Sequence, residues 1–193
     1  IVYGNVRYFF ADPYDSNGWK LTFWGQNKEW IPGIIGQGSE ILPSALKGSF
    51  AHISCFLFKR EIISKAGKWD ETKRAAEDYL FVLRCVLAKG YFYYHNQPGS
   101  FALVRWHEHN TSNNFNWIHE EERKMRIELA SEIEKTGDKE AIEINENAIK
   151  ALGLMIQKKW RSHFLSGGPF DFIKKLLRFA GIEKIVKRIF YRS

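Results

Sequence analysis

Cysteine is scarce: among 193 residues only Cys55 and Cys85 carry thiols. They stand in separate apolar runs without a Cys-x-x-Cys spacing, which excludes a disulfide framework and a thiolate zinc site. Two buried thiols in a reducing compartment is the reading left. No apolar run approaches the roughly 20 residues of a membrane-spanning helix, and no signal peptide is visible. Internal repeats and low-complexity tracts are lacking. No glycine-rich phosphate loop opens a helix. The aspartates stand at Asp12, Asp15, Asp70, Asp78, Asp138 and Asp171, so no Asp-x-Asp pair occurs. The opening IVYGNVRYFF has no initiating Met and begins directly in a strand pattern. We therefore expect an amino-terminal part of a larger protein upstream of it.

What is present supports a substantial core. The chain is 45% apolar and 16% aromatic, enough for one full domain with an appendage. The net charge of +7 is uneven, because basic residues crowd positions 158–193 against only Asp171 and Glu183. The body is close to neutral, so the high isoelectric point says little about what the body binds.

Pattern predicts strands over 1–10 and about 20–24, then a long loop rich in Gly and Pro over 25–48. The continuous apolar run 52–59 predicts a strand covered on both faces. A short helix over 60–67 should close at Gly67, and a second over about 78–89 should stop at Gly90. That second helix is apolar nearly all round, the mark of a buried one. Strands over 91–95 and 101–106 should flank the Pro98-Gly99 turn. From Trp117 on, three helices are expected, over about 117–135, 139–163 and 171–191.

Three clusters could carry chemistry. Glu77 and Asp78 open the buried helix, where carboxylates suit the positive end of the helix dipole and its unpaired N–H groups. The same rigid placement suits a general base aimed at a substrate hydroxyl, and the pair alone does not decide between these. In RWHEHNTSNN, His107 and His109 would share one side of a strand. A self-contained zinc site lacks further ligands nearby, which leaves one histidine completing a metal held elsewhere, or a polar strand end. Trp69, Asp70 and Glu71 fit either a sugar-binding surface or a loop anchor.

Taken in order, SCFLFKREIISKAGKWDE, AEDYLFVLRCVLAKGY and VRWHEHNTS resemble the carboxy-terminal half of family two glycosyltransferases with the A-type fold. Arg60-Glu61, Trp69-Asp70-Glu71, Glu77-Asp78 with Arg84, and Arg105-x-His107 with Ser112 carry the likeness. Lys68 departs from it, standing where the family commonly has Gly. The resemblance implies an α/β fold, a mixed sheet with flanking helices. It spans residues 1–115, followed by a helical extension over 116–165 and a basic amphipathic helix over 166–193.

The resemblance also implies roles. Asp78 would be the catalytic base of an inverting transfer from a nucleotide-sugar donor to a glycan or lipid-linked acceptor. Glu77, Trp69, Asp70 and Arg105 would bind substrate. His107 would complete Mg²⁺ or Mn²⁺ coordination, the main Asp-x-Asp ligands lying in the upstream half. Surface polysaccharide synthesis in the cytoplasm is the implied setting. The tail would place the enzyme at the inner face of a bacterial cytoplasmic membrane, because its Lys and Arg flank two apolar stripes and fit an anionic surface. A packed terminal helix is the alternative. A non-catalytic scaffold module at the membrane is the rival for the body, and no nucleic-acid partner is expected.

Overall fold

The computed structural model describes residues 1–22 and 29–165. The chain forms two compact units, Ile1–Lys150 and Ala151–Ser193. The sheet, the core and the candidate site belong to the first; of the second, residues 151–165 continue a helix. The helix expected over 171–191 and the basic tail lie outside the described residues.

Among the described residues the strands are β1 (Val2–Tyr3), β2 (Asn5–Phe9), β3 (Gly36–Gln37), β4 (Phe56–Leu57), β5 (Tyr91–Tyr94) and β6 (Phe101–Arg105). The α-helices among the same residues are α1 (Leu42–Leu46), α2 (Arg60–Ala66), α3 (Glu77–Leu87), α4 (Phe115–Lys135) and α5 (Lys139–Leu165). The architecture is mixed α/β, with a four-stranded sheet ordered β3-β5-β1-β4 and a separate β2-β6 pair. β1 runs parallel to β5 and antiparallel to β4, so the sheet is mixed.

Gly4 lets the chain pass from β1 in one sheet to β2 in the other. A Cβ there would lie 2.6 Å from the Ser100 carbonyl oxygen, so only glycine allows that approach. β5 and β6 do not pair with each other across the Pro98-Gly99 turn; each runs parallel to one half of the amino-terminal segment.

The sheet has one buried and one open face, as period-two alternation requires. Tyr3, Phe56 and Phe92 point inward and meet Phe50, whose ring centroid lies 5.5, 6.0 and 5.8 Å from theirs. Seven of the eleven residues of α3 are buried, as its apolar surround predicts. Against α3 pack α1, α2 and α4. Met125, Leu129 and Ile133 of α4 recur at helical spacing and enter the same core, each contributing on the order of 2 kcal/mol by leaving water.

Several sequence expectations are corrected. The apolar run 52–59 is not a strand covered on both faces: Ile53–Cys55 form a 3₁₀ turn, β4 is two residues long, and Leu57 is 75% exposed. Side-chain type was right for a strand, but the turn takes three of the segment's eight residues. Residues 20–22 contribute only a bridge from Lys20 to Tyr8, and positions 23–28 lie outside the described residues. The expected loop 25–48 contains β3, a 3₁₀ turn and α1, whose Pro43 sits where a helix's first turn tolerates it.

Candidate functional site

The first turn of α3 begins with a backbone that sequence does not announce. Ala76 is left-handed, with φ of 58°, and reverses the chain directly before Glu77 and Asp78. A non-glycine residue there stores strain, a feature that clusters at functional positions. Asp78 Oδ1 accepts a 2.7 Å hydrogen bond from its neighbour's N–H, that of Tyr79. The carboxylate thus satisfies an otherwise orphaned helix donor, as the capping reading requires. Both acids remain half-buried, so the capping bond leaves Asp78 reachable from outside.

Asp78 lines a crevice with Ser49, Phe50, Ala51 and Ile53 opposite it. The crevice is too tight to admit a water-sized sphere. His52 belongs to the same wall. Its Nδ1 accepts from the Ser54 N–H at 3.2 Å, which caps the 53–55 turn. Burial pushes the His52 imidazole below its ordinary pKa, while the Asp78 carboxylate acts in the opposite sense.

On the far side of that turn a cleft of about 270 Å³ opens among Gly4, Ser54, Cys55, His95 and Ser100. It sits at the carboxyl ends of the parallel strands β1 and β5, where α/β sheets commonly take ligands. One turn, residues 53–55, therefore borders both spaces. A roomier cleft of about 510 Å³ lies elsewhere, among Ser39, Leu42, Val86, Lys89, Glu132 and Lys135. Its lining includes no residue that the sequence singles out.

Trp69 is 39% exposed and tilts against Phe81, with centroids 5.1 Å apart. Phe81 is three residues on from Asp78, so the indole rests on the same side of α3. Asp70 accepts from the Thr72 hydroxyl at 2.6 Å and from the Thr72 N–H at 3.1 Å. Those two donors hold its carboxyl below the usual carboxylate range. The structure thus ties Trp69 and Asp70 to the α3 side of the molecule, and also shows the loop anchoring that their pattern allowed.

Arg105 and His107 lie elsewhere in the chain's path, exposed where β6 ends, and neither bonds to Asp78. β6 ends at Arg105, so the two histidines do not share a strand face. They share a turn. Asn110 Oδ1 accepts from the His107 N–H at 2.6 Å, and Asn113 Nδ2 donates to the carbonyls of His107 and Glu108. The imidazole centroids come within 6.3 Å. No group of three His, Cys, Asp or Glu side chains able to hold a metal ion occurs among the described residues. A divalent ion would need most of its ligands from outside this set, with His107 at most a contributor.

Both thiols are free and inert. Burial raises Cys55 to about 11 and Cys85 to about 12, which leaves little thiolate near neutral pH.

Sequence reasoning missed the loop 49–53, and it missed Arg126. That guanidinium is 2% exposed, donating from Nη2 to the Leu46 carbonyl at 3.0 Å and to the Tyr79 hydroxyl at 3.1 Å. The signal was present: Arg126 stands three and seven residues before Leu129 and Ile133, a cation inside an apolar stripe. No family model, curated protein or solved structure matches this chain.

Proposed function

We propose that this chain is the acceptor-side half of an inverting glycosyltransferase, which moves a sugar from a nucleotide-diphosphate donor to a glycan or lipid-linked hydroxyl. The observation that carries the reading is Asp78, a carboxylate fixed by the Tyr79 N–H on the rim of a crevice, behind a strained residue. In the reaction, Asp78 takes the acceptor hydroxyl's proton as that oxygen attacks the anomeric carbon. The bond to the diphosphate breaks on the opposite face, and the diphosphate leaves with the bonding pair. Glu77 and Asp70 would accept hydrogen bonds from the acceptor, Trp69 would cover a sugar face, and Arg105 would bind anionic substrate groups.

A donor-binding unit must complete such an enzyme, and it would supply the Asp-x-Asp ligands for Mg²⁺ or Mn²⁺. The metal's contribution would be charge neutralisation on the leaving diphosphate. A sheet face that is apolar and open supports the need for that unit: Leu57, Val2, Tyr93 and Tyr91 are 75%, 39%, 45% and 54% exposed. No helix among the described residues is long and apolar enough to cross a membrane. Peripheral placement through the basic tail belongs to the same proposal.

The rival, a non-catalytic scaffold module, is favoured by the tightness of the Asp78 crevice. Asp78→Asn in the full-length gene product separates the two. Loss of a general base should cut transfer by roughly 10²–10⁴-fold. Release of nucleotide diphosphate with and without acceptor is the assay, and binding of donor should persist. Undiminished turnover in the variant would remove Asp78 from the chemistry.

A further inference from the structure

Two walls form the crevice that holds Asp78: the first turn of α3, and the segment 49–53 that follows α1. A single side chain from α4 bonds the first wall directly and the end of α1, from which the second wall departs. Arg126 Nη2 donates to the carbonyl of Leu46, the last residue of α1, and to the hydroxyl of Tyr79, the neighbour of Asp78. The Tyr79 hydroxyl in turn donates to the Ala45 carbonyl at 2.8 Å. The guanidinium also lies over the Tyr79 ring, 5.4 Å from its centroid, and its Nε bonds Glu122 at 2.9 Å. We propose that Arg126 is the positioning residue of this site: one buried guanidinium sets the distance between the two crevice walls, and through it the aim of Asp78.

Three observations favour positioning over simple packing. First, an apolar residue would suit the stripe of Met125, Leu129 and Ile133 better, since taking an arginine out of water is expensive. The Nη1 group has no partner among the described residues, so the guanidinium is not there because its donors are ideally matched. Second, one of its acceptors is the main-chain carbonyl that ends a five-residue helix, a place that packing alone holds weakly. Third, the planar fork serves two acceptors from one nitrogen, which the single ammonium of lysine reaches with different geometry. Phe50 packs the 49–53 segment on the sheet, whereas Arg126 holds the end of α1, three residues before that segment.

This inference rests on the glycosyltransferase reading for its catalytic consequence, though not for its geometry. The test uses the full-length gene product with Arg126→Lys and Tyr79→Phe. The second change keeps the ring and removes only the hydroxyl, so it tests the clamp even if the first prevents folding. Hydrogen exchange followed by mass spectrometry should show protection lost over 45–53 and 77–80, with β2 and β6 as protected as in the parent. The kcat for transfer should fall by about 10²-fold, as expected for a catalytic group displaced by about 1 Å, with donor KM unchanged. Protection lost evenly across the unit, or an unchanged kcat in a folded variant, would overturn the proposal. Should the parent protein transfer no sugar to any acceptor, the glycosyltransferase reading fails, and the clamp is then judged on the exchange pattern alone.

Discussion

A single protonation bears on the wall facing Asp78. His52 Nδ1 accepts the Ser54 N–H, so the ring must be neutral with its proton on Nε2 for the turn to stay capped. Burial lowers its pKa in the fold below the ordinary value of about 6.5, despite the nearby Asp78. An unfolded chain therefore binds a proton more readily than the folded one. The associated stability is fully present above about pH 6.5 and is lost as pH falls through the lowered folded value. We expect a melting temperature to which His52 adds a decline as pH falls below about 6.5. His52→Asn offers a side-chain oxygen to the same N–H without titrating, so its decline should begin at lower pH. Parallel curves for parent and variant, read by circular dichroism, would show that His52 does not govern the slope.

At the scale of elements, α3 carries strain at both ends. Its carboxyl end closes as a Schellman motif: Gly90 N–H bonds the Cys85 carbonyl and Lys89 N–H bonds that of Val86. The left-handed position belongs to Lys89, with φ of 58°, and not to the expected stop, Gly90. Glycine is needed at 90 for another reason, since a Cβ there would meet the Cys85 oxygen at 2.8 Å. Lys89→Gly should therefore stabilise the protein by roughly 1 kcal/mol, whereas Gly90→Ala should destabilise it. Urea midpoints at constant slope are the measure.

The same helix shows what could be read beforehand. Its span and its burial followed from a dense apolar pattern, and Glu77-Asp78 followed from helix-end chemistry. The partner walls did not. Residues 49–53 reach Asp78 through tertiary packing around Phe50, and Arg126 bonds its neighbour Tyr79 from a helix far along the chain. Local pattern carries no record of either contact. The run 52–59 misled for a related reason, because a His side chain capping its own backbone diverted a strand-like sequence into a turn.

For the molecule as a whole, the sheet's open face matters most. Val2 pairs with Leu57 on one side and with Tyr93 on the other, which puts all three on one surface. Tyr91, two residues before Tyr93, joins them. β4 beside them is an edge with no further strand among the described residues, and it carries no charge within its two residues. An apolar face meeting an unprotected edge is a template for association. The 193-residue chain on its own should then self-associate as concentration rises. Leu57→Lys should suppress this by placing a charge at the most exposed point of the row, a device natural edge strands use. In the full-length gene product, where the proposed donor-binding unit would cover this face, the parent residue should cause no such association, and lysine there should weaken donor binding. Sedimentation velocity on both lengths, with and without the substitution, measures the first part, and calorimetry with nucleotide sugars the second. A monomeric 193-residue chain at every concentration would mean that the face is content in water, and the argument for a covering unit would lose its physical basis.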